Sequence, residues 1–273
     1  MASFNTLKRY GFRYALGSAI RKTGNDLEYV SGRSKLKPSP NKVYDITVDD
    51  VTMKLDFGSL PITKPIWQRI EGVREPETTA IIRALLRPGD RVLELGSCYG
   101  YFSLLMSASV GSTGRVLGIE GLPEYFKILT RNVKRNQPNN IELINAFVGS
   151  QQTSIDFELG AYSPYKSINL YNEGKTLDNS VRKVTVPCIN LHDFLVEKNY
   201  NPTHIFMDIE GFEVEAIEQL SEEYLCINNP VVVFEHHEKF YDDGKGLDYL
   251  NSLLATCGYT TRRVYGNVIA LKS

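Results

Sequence analysis

The stretch Arg91–Gly100, RVLELGSCYG, constrains the fold of this chain more than any other, because a short apolar run meets an acid and two glycines where a helical pattern begins. Val92, Leu93 and Leu95 suit a buried strand, and Gly96 and Gly100 let the backbone turn sharply and approach a ligand. Phe102, Leu105 and Met106 follow at helical spacing. Such a strand ends at a ligand, in the manner of a nucleotide cofactor loop, although a tight structural turn uses the same residues. The downstream chain favours the cofactor. About twenty-five residues after Glu94 a second apolar run, Arg115–Ile119, ends in Glu120, where doubly wound folds place the acid that binds a ribose hydroxyl pair. Leu122, Tyr125, Phe126, Leu129 and Val133 then mark one helix face, and Ile141–Asn145 reads as a third strand. The pattern predicts a β-α-β-α-β unit and so an α/β, doubly wound, Rossmann-like sheet.

A nicotinamide dinucleotide and S-adenosylmethionine both suit such a unit, and three details favour the methyl donor. The dinucleotide fingerprint G-x-G-x-x-G needs a second glycine against the pyrophosphate, and here that position is Cys98. Glu94 would repel a pyrophosphate but attract the ammonium group of the donor. Finally, Tyr259–Val264 and Asn267–Leu271, separated by Tyr265-Gly266, predict an antiparallel hairpin closing the sheet edge, as methyltransferase sheets end.

From about Arg74 to the C-terminus the chain resembles the FkbM family of S-adenosylmethionine-dependent methyltransferases. REPETTAIIRALLRPGDRVLELGSCYGYFS is similar to the family's entry helix, proline-glycine turn and first cofactor motif. GIEGLPEYFKILTRNVKRN is similar to its second strand and following helix, and VVVFEHHEKFY to its fifth strand. FMDIEGFEVEAI matches the D-x-E-G-x-E signature after the fourth strand and is the most specific of these segments. The resemblance implies a methyltransferase domain at residues 74–273, preceded at residues 1–73 by a basic helix, a linker and a β-hairpin. It implies cofactor contacts from Glu94, Gly96, Ser97, Cys98, Gly100, Tyr101, Glu120, Gly121, Ala146 and Asp208. Phe206 stands where relatives often carry lysine, so the resemblance does not extend to the acceptor.

Methyl transfer from a sulfonium is an in-line displacement, and a hydroxyl acceptor needs a group to take its proton. Asp208 and Glu210 follow the fourth strand and Glu235 and His236 end the fifth, at the sheet edge where doubly wound folds bind ligands. Asp208 is the first choice for a catalytic or metal role. His236 is the first choice for a base, with an unperturbed pKa near ~6.5. Glu210 and Glu213 also suit the start of the next helix, where acids favour the dipole. His237 reads as a surface residue, and His192 and His204 carry no role. Asp208, Glu235 and His236 would also suit a divalent cation such as Mg that binds vicinal hydroxyls. Asn229-Pro230 precedes the fifth strand rather than ending the fourth, so the chain lacks the N/D-P-P-Y pattern of nitrogen methylation and oxygen is the expected acceptor atom. The expected function is O-methylation of a sugar hydroxyl on a glycan, glycolipid or glycosylated natural product. The open alternatives are an NAD-linked oxidoreductase and a non-catalytic cofactor-binding subunit.

A formal net charge of −1 gives no reason to expect nucleic acid as partner. Without a membrane-spanning run or an apolar leader, the expected location is cytoplasmic. Residues 1–37 depart from the average, with eight Lys or Arg against two Asp or Glu, a local excess of 8 − 2 = 6. Phe4, Leu7, Tyr10, Tyr14 and Ile20 can form an apolar stripe there, suited to a peripheral membrane or acidic-partner contact, to docking on the catalytic domain, or to pairing two subunits as a homo-oligomer. Ser31–Asn41 reads as a linker and Val43–Phe57 as a β-hairpin turning at Asp49-Asp50. Gln151–Val186 is a long insertion whose Tyr162, Tyr165 and Tyr171 suit either a sugar-binding wall or a small local core. Cys98, Cys188, Cys226 and Cys257 lack paired spacing and read as free thiols.

Overall fold

The computed structural model describes residues 42–58, 64–70, 72, 74–149, 153–159, 182–221, 223–241 and 244–272. The expected basic helix and linker, and the three insertion tyrosines, lie outside the described residues. Two compact units divide the chain: Met1–Asp90 with Ser97–Val116 and Lys127–Glu142, and Arg91–Gly96 with Leu117–Phe126 and Leu143–Ser273.

In the first unit, β1 (Tyr44–Val48) and β2 (Val51–Leu55) form the expected hairpin, with Val48 paired to Val51 across a two-residue turn. Alternation sends Ile46, Val48, Met53 and Leu55 inward while Asp45, Thr47, Thr52 and Lys54 stay exposed. Helix α1 (Lys64–Ile70) and helix α2 (Pro76–Leu85) follow. Pro76 opens α2, where its missing N–H costs nothing, and Pro88-Gly89 turns the chain after it. Helix α3 (Tyr101–Val110) starts at Gly100. Helix α4 (Pro123–Asn136) carries the expected apolar face, and its C-terminal part belongs to this unit.

A polar network that the apolar pattern did not announce ties α4 to the hairpin. Asn132 is fully buried; its amide donates to the carbonyl oxygens of Asp56 and Tyr99, both at 2.9 Å, and accepts from Asp56 N at 2.8 Å. The buried Asp56 carboxylate accepts from Arg131 at 2.5 Å and pairs with Arg135 at 2.9 Å. Burial alone would raise its pKa, but the Arg131 hydrogen bond, the Gly58 N–H and Arg135 together hold the carboxyl below the ordinary aspartate value.

The second unit holds the main sheet, to which β3 (Arg91–Leu95), β4 (Arg115–Glu120), β5 (Ile141–Asn145), β9 (His204–Met207), β10 (Val231–Glu235), β11 (Tyr259–Val264) and β12 (Asn267–Lys272) all contribute. The strand order is β11-β12-β10-β9-β3-β4-β5. The chain therefore moves outward from β3 to β5, then restarts on the other side of β3 with β9. That reversal beside β3 is the topological switch point of a doubly wound sheet. Strand β9 runs parallel to both β3 and β10, whereas β10–β12 and β11–β12 are antiparallel, giving the expected closing hairpin at Tyr265-Gly266. Its core is apolar: Leu93, Leu95, Ile205, Met207, Val232, Phe234 and Val268 are buried, as strands covered on both faces require.

Between β5 and β9 lie β6 (Phe147–Val148), β7 (Thr153–Leu159), β8 (Arg182–Ile189) and helix α5 (Leu191–Glu197). Strands β6, β8 and β7 form a separate three-stranded sheet in that order, so both ends of the insertion are strands. Helix α6 (Glu213–Ser221) and helix α7 (Tyr224–Asn228) follow β9, and helix α8 (Leu247–Thr256) follows β10. Cys226 on α7 and Cys257 after α8 are joined by a disulfide with their Cα atoms 4.6 Å apart, while Cys98 and Cys188 are free thiols. The expectation of four free thiols is corrected: the bonded pair is 31 residues apart in sequence, a separation that no local spacing rule detects. Among the described residues no helix is long and apolar enough to cross a membrane.

Candidate active site

At the carboxyl end of β3 the backbone comes into contact with β9. Asp208 N donates to Leu95 O at 3.0 Å, and Gly96 N donates to Ile119 O at 2.9 Å. Gly96 has φ +88°, and a Cβ there would overlap the carbonyl oxygen of Asp208. Only glycine serves on both counts. Glu94, within β3, is buried.

The neighbouring strand ends complete this edge. Glu120 ends β4 buried, and its Oε1 accepts from Leu122 N at 2.8 Å. Asn145 at the end of β5 donates through Nδ2 to the carbonyl oxygens of Glu120, at 2.7 Å, and Gly121, at 3.1 Å. The Phe147 ring lies where a Cβ on Gly121 would project, and Ala146 is buried between Asn145 and Phe147. The remaining predicted cofactor residues belong to the first unit. There Ser97 and Tyr101 are buried, Cys98 has φ +51°, and Gly100 N donates to Ser97 O at 2.8 Å, closing the turn into α3.

Five ionisable side chains gather after β9 and β10. Glu213, at the first turn of α6 and fully buried, accepts from Ile209 N and Gly211 N, both at 3.0 Å. Its carboxylate thereby fixes the Asp208–Phe212 turn, in which Glu210 has φ +52°. The same carboxylate accepts from His237 Nδ1 at 3.0 Å. His237 Nε2 then lies 3.7 Å from Asp208 Oδ1 and 3.7 Å from Glu210 Oε2. The Phe240 ring stacks on His237 at 5.9 Å, and the side chain of His237 is only 11% exposed. Burial lowers the basicity of this imidazole, but the hydrogen bond and charge of Glu213, with Asp208 and Glu210 behind it, override burial and push its pKa up to about 9. Burial, reinforced by Glu213, also raises the Tyr241 phenol, which accepts from His237 N at 3.2 Å.

Residues 94–261 match the model of the methyltransferase FkbM domain, more than half of the chain. The chain belongs to the FkbM methyltransferase family. A protein-L-isoaspartate O-methyltransferase of Thermosipho melanesiensis is 30% identical over 141 residues, covering 52% of this chain and 61% of that one. One from Methanococcus aeolicus is 31% identical over 98 residues, covering 35% and 41%. This FkbM-family chain thus matches less than two thirds of the length of either relative. Among solved structures, the methyltransferase FkbM from Methylobacillus flagellatus aligns with a TM-score of 0.45 at 14% identity, over 78% of this chain and 56% of that one. An O-methyltransferase from Bacillus cereus in complex with SAH aligns at 0.47 and 15%, over 73% and 82%.

For this FkbM-family chain, the sequence places Asp208, Glu210, Glu235 and His236 at the ends of β9 and β10, and the structure has them there, but the histidine it brings beside the acids is His237. Among the described residues, the ligand atoms that lie within 4.8 Å of one another are those of Asp208, Glu235 and His237. His236 instead continues the β10–β12 ladder through its N–H to Gly266 O at 3.0 Å, and its ring lies against Tyr241 at 5.5 Å. The reason is the two-residue period of extended chain, which gives Glu235 and His237 one side and His236 the other. Glu213 was expected to serve the helix start, and it does; its second task, holding His237, was not foreseen. Asn145 was missed because a polar residue closing a strand has no distinct signal.

Proposed function

We propose that this chain is an S-adenosylmethionine-dependent O-methyltransferase whose acceptor is a hydroxyl, on a sugar of a glycan, glycolipid or glycosylated natural product. The observation that supports it most is the close approach of Gly96, which opens the predicted donor loop, to the backbone of Asp208, whose carboxylate is 45% exposed. Family membership supports the donor, and the O-methyltransferase names of the relatives support oxygen as the acceptor atom. Gly96 and Glu120 flank the donor from the ends of β3 and β4, with Glu120 directed at the ribose hydroxyls. The acceptor oxygen attacks the methyl carbon in line, the carbon–sulfur bond breaks to leave S-adenosylhomocysteine, and the hydroxyl proton passes to the Asp208 carboxylate. The proton takes this route whether or not a cation such as Mg polarises the hydroxyl.

Calorimetric titration with S-adenosylhomocysteine, with NADH as control, tests the donor. Micromolar binding of the former alone supports the reading, and binding of NADH alone replaces it with nucleotide-linked redox chemistry. Asp208→Asn should keep donor binding and lose about 10²–10⁴ in kcat with an active acceptor; full turnover in that variant removes Asp208 as the base.

A further inference from the structure

The side chains after β9 and β10 converge for a structural reason. Met207 pairs with Phe234 in the parallel ladder, so Asp208 and Glu235 occupy equivalent positions at adjacent strand ends and project to the same side. His237, two residues beyond Glu235, returns to that side, and the ligand atoms of these three residues lie within 4.8 Å of one another.

A second observation distinguishes this group from a chance cluster of acids. His237 is held through Nδ1 by the fully buried Glu213, which is itself anchored by two backbone N–H groups. The imidazole therefore has one ring orientation, with Nε2 presented toward Asp208 and Glu210, and a bound ion would take the place of the Nε2 proton. Carboxylate–imidazole pairing of this kind is what orients and strengthens histidine ligands in metal centres. We infer that Asp208, Glu235 and His237 form a binding site for a divalent transition metal ion, with Glu213 as the residue that positions the histidine.

The donor set indicates the class of ion. One imidazole nitrogen with two carboxylates suits manganese, iron or zinc, whereas magnesium favours oxygen ligands and retains most of its water. Three protein donors leave coordination positions for the acceptor. The role of the ion rests on the methyl-transfer reading: it binds the acceptor oxygen and lowers the pKa of its proton, which passes to the Asp208 oxygen not engaged by the ion.

The test uses the full chain and Mn²⁺, read from the loss of the free-ion electron paramagnetic resonance signal, with Zn²⁺ and Mg²⁺ as competitors. One Mn²⁺ per chain is expected, displaced by Zn²⁺ and hardly by Mg²⁺. Asp208→Asn and His237→Ala should each weaken binding by at least about tenfold, Glu213→Gln by about tenfold, and His236→Ala not at all. Asp208 is 45% exposed, and unchanged circular dichroism checks that its variant keeps the fold. No Mn²⁺ retained at millimolar concentration, or retention at wild-type affinity by both Asp208→Asn and His237→Ala, overturns the site. S-adenosylhomocysteine titrated into the same samples separates the two ideas: donor binding without Mn²⁺ rejects only the metal centre, and Mn²⁺ binding without donor binding rejects only the methyl-transfer reading.

Discussion

Replacing Gly96 by alanine tests the claim that the ends of β3 and β9 meet there too closely for any side chain. The added methyl group would overlap the carbonyl oxygen of Asp208, a backbone atom in a residue whose own N–H is fixed to Leu95 O. Gly89 is a matched control. Its φ of +91° is close to the +88° of Gly96, but a Cβ there meets only Thr113 Oγ1, at an ordinary 3.8 Å. Both substitutions incur the left-handed backbone cost, about 1–2 kcal/mol. Gly96→Ala must also separate two packed strands, an overpacking cost of about 2–3 kcal/mol more. At roughly 2–4 °C per kcal/mol for a chain of this size, Tm should fall by about 10 °C for Gly96→Ala and about 4 °C for Gly89→Ala. Shifting the Gly96 turn should further weaken S-adenosylhomocysteine binding in the first variant, and the second should leave it intact. Thermal denaturation and calorimetry on both proteins measure these effects. Equal losses of stability would mean that the overlap relaxes freely, and the close approach would then explain nothing about why glycine stands at position 96.

Three other outcomes follow from particular contacts. Because the folded Asp56 carboxyl titrates below its ordinary value, its ion pairs add stability above the unfolded pKa, near 3.8, and lose it as pH falls through the folded value. Asp56→Asn should therefore cost about 2 kcal/mol at pH 7, where partly exposed arginines are left unpaired, and the gap to wild type should close below about pH 4 in denaturant melts. Unfolded, unreduced protein should show two titratable thiols, from Cys98 and Cys188, and reducing Cys226–Cys257 should lower stability by about 3–4 kcal/mol for a loop of this length. Asn145→Ala removes the two hydrogen bonds that fix the Glu120–Gly121 backbone and should weaken S-adenosylhomocysteine binding several-fold with a stability loss of only about 1–2 kcal/mol; unchanged affinity would take Glu120 out of the donor site.

The elements with strong periodicity and clear punctuation were legible in the sequence. The Val43–Phe57 hairpin and the strands ending at Leu95, Glu120, Met207 and Glu235 all form within a residue or two of expectation. Each combines an apolar pattern with a turn signal, and such signals are local. What escaped is non-local. Asn132 lies inside the apolar stripe of α4, yet its amide joins Asp56 to Tyr99, contacts that span 76 and 33 residues. The strands at the ends of the 151–186 insertion and the Cys226–Cys257 disulfide depend likewise on partners distant in sequence.

The histidine pair is a different kind of case, because the information needed was present. Strand β10 ends at Glu235, His236 N donates to Gly266 O just beyond it, and the ligand atoms that lie with those of Asp208 and Glu235 are those of His237. A ligand or proton-transfer group acting beside Glu235 then has to be two residues away, not one. An ordinary pKa makes either histidine a candidate base, but an imidazole is useful only where its free nitrogen points. The third acid of the D-x-E-G-x-E signature supplies that direction: Glu213 starts α6, is fully buried, and meets His237 across 24 residues of sequence. The signature is thus read most fully as a turn and its fastening together, with Asp208 presented outward and Glu213 held inward, and the histidine it orients comes from the next strand.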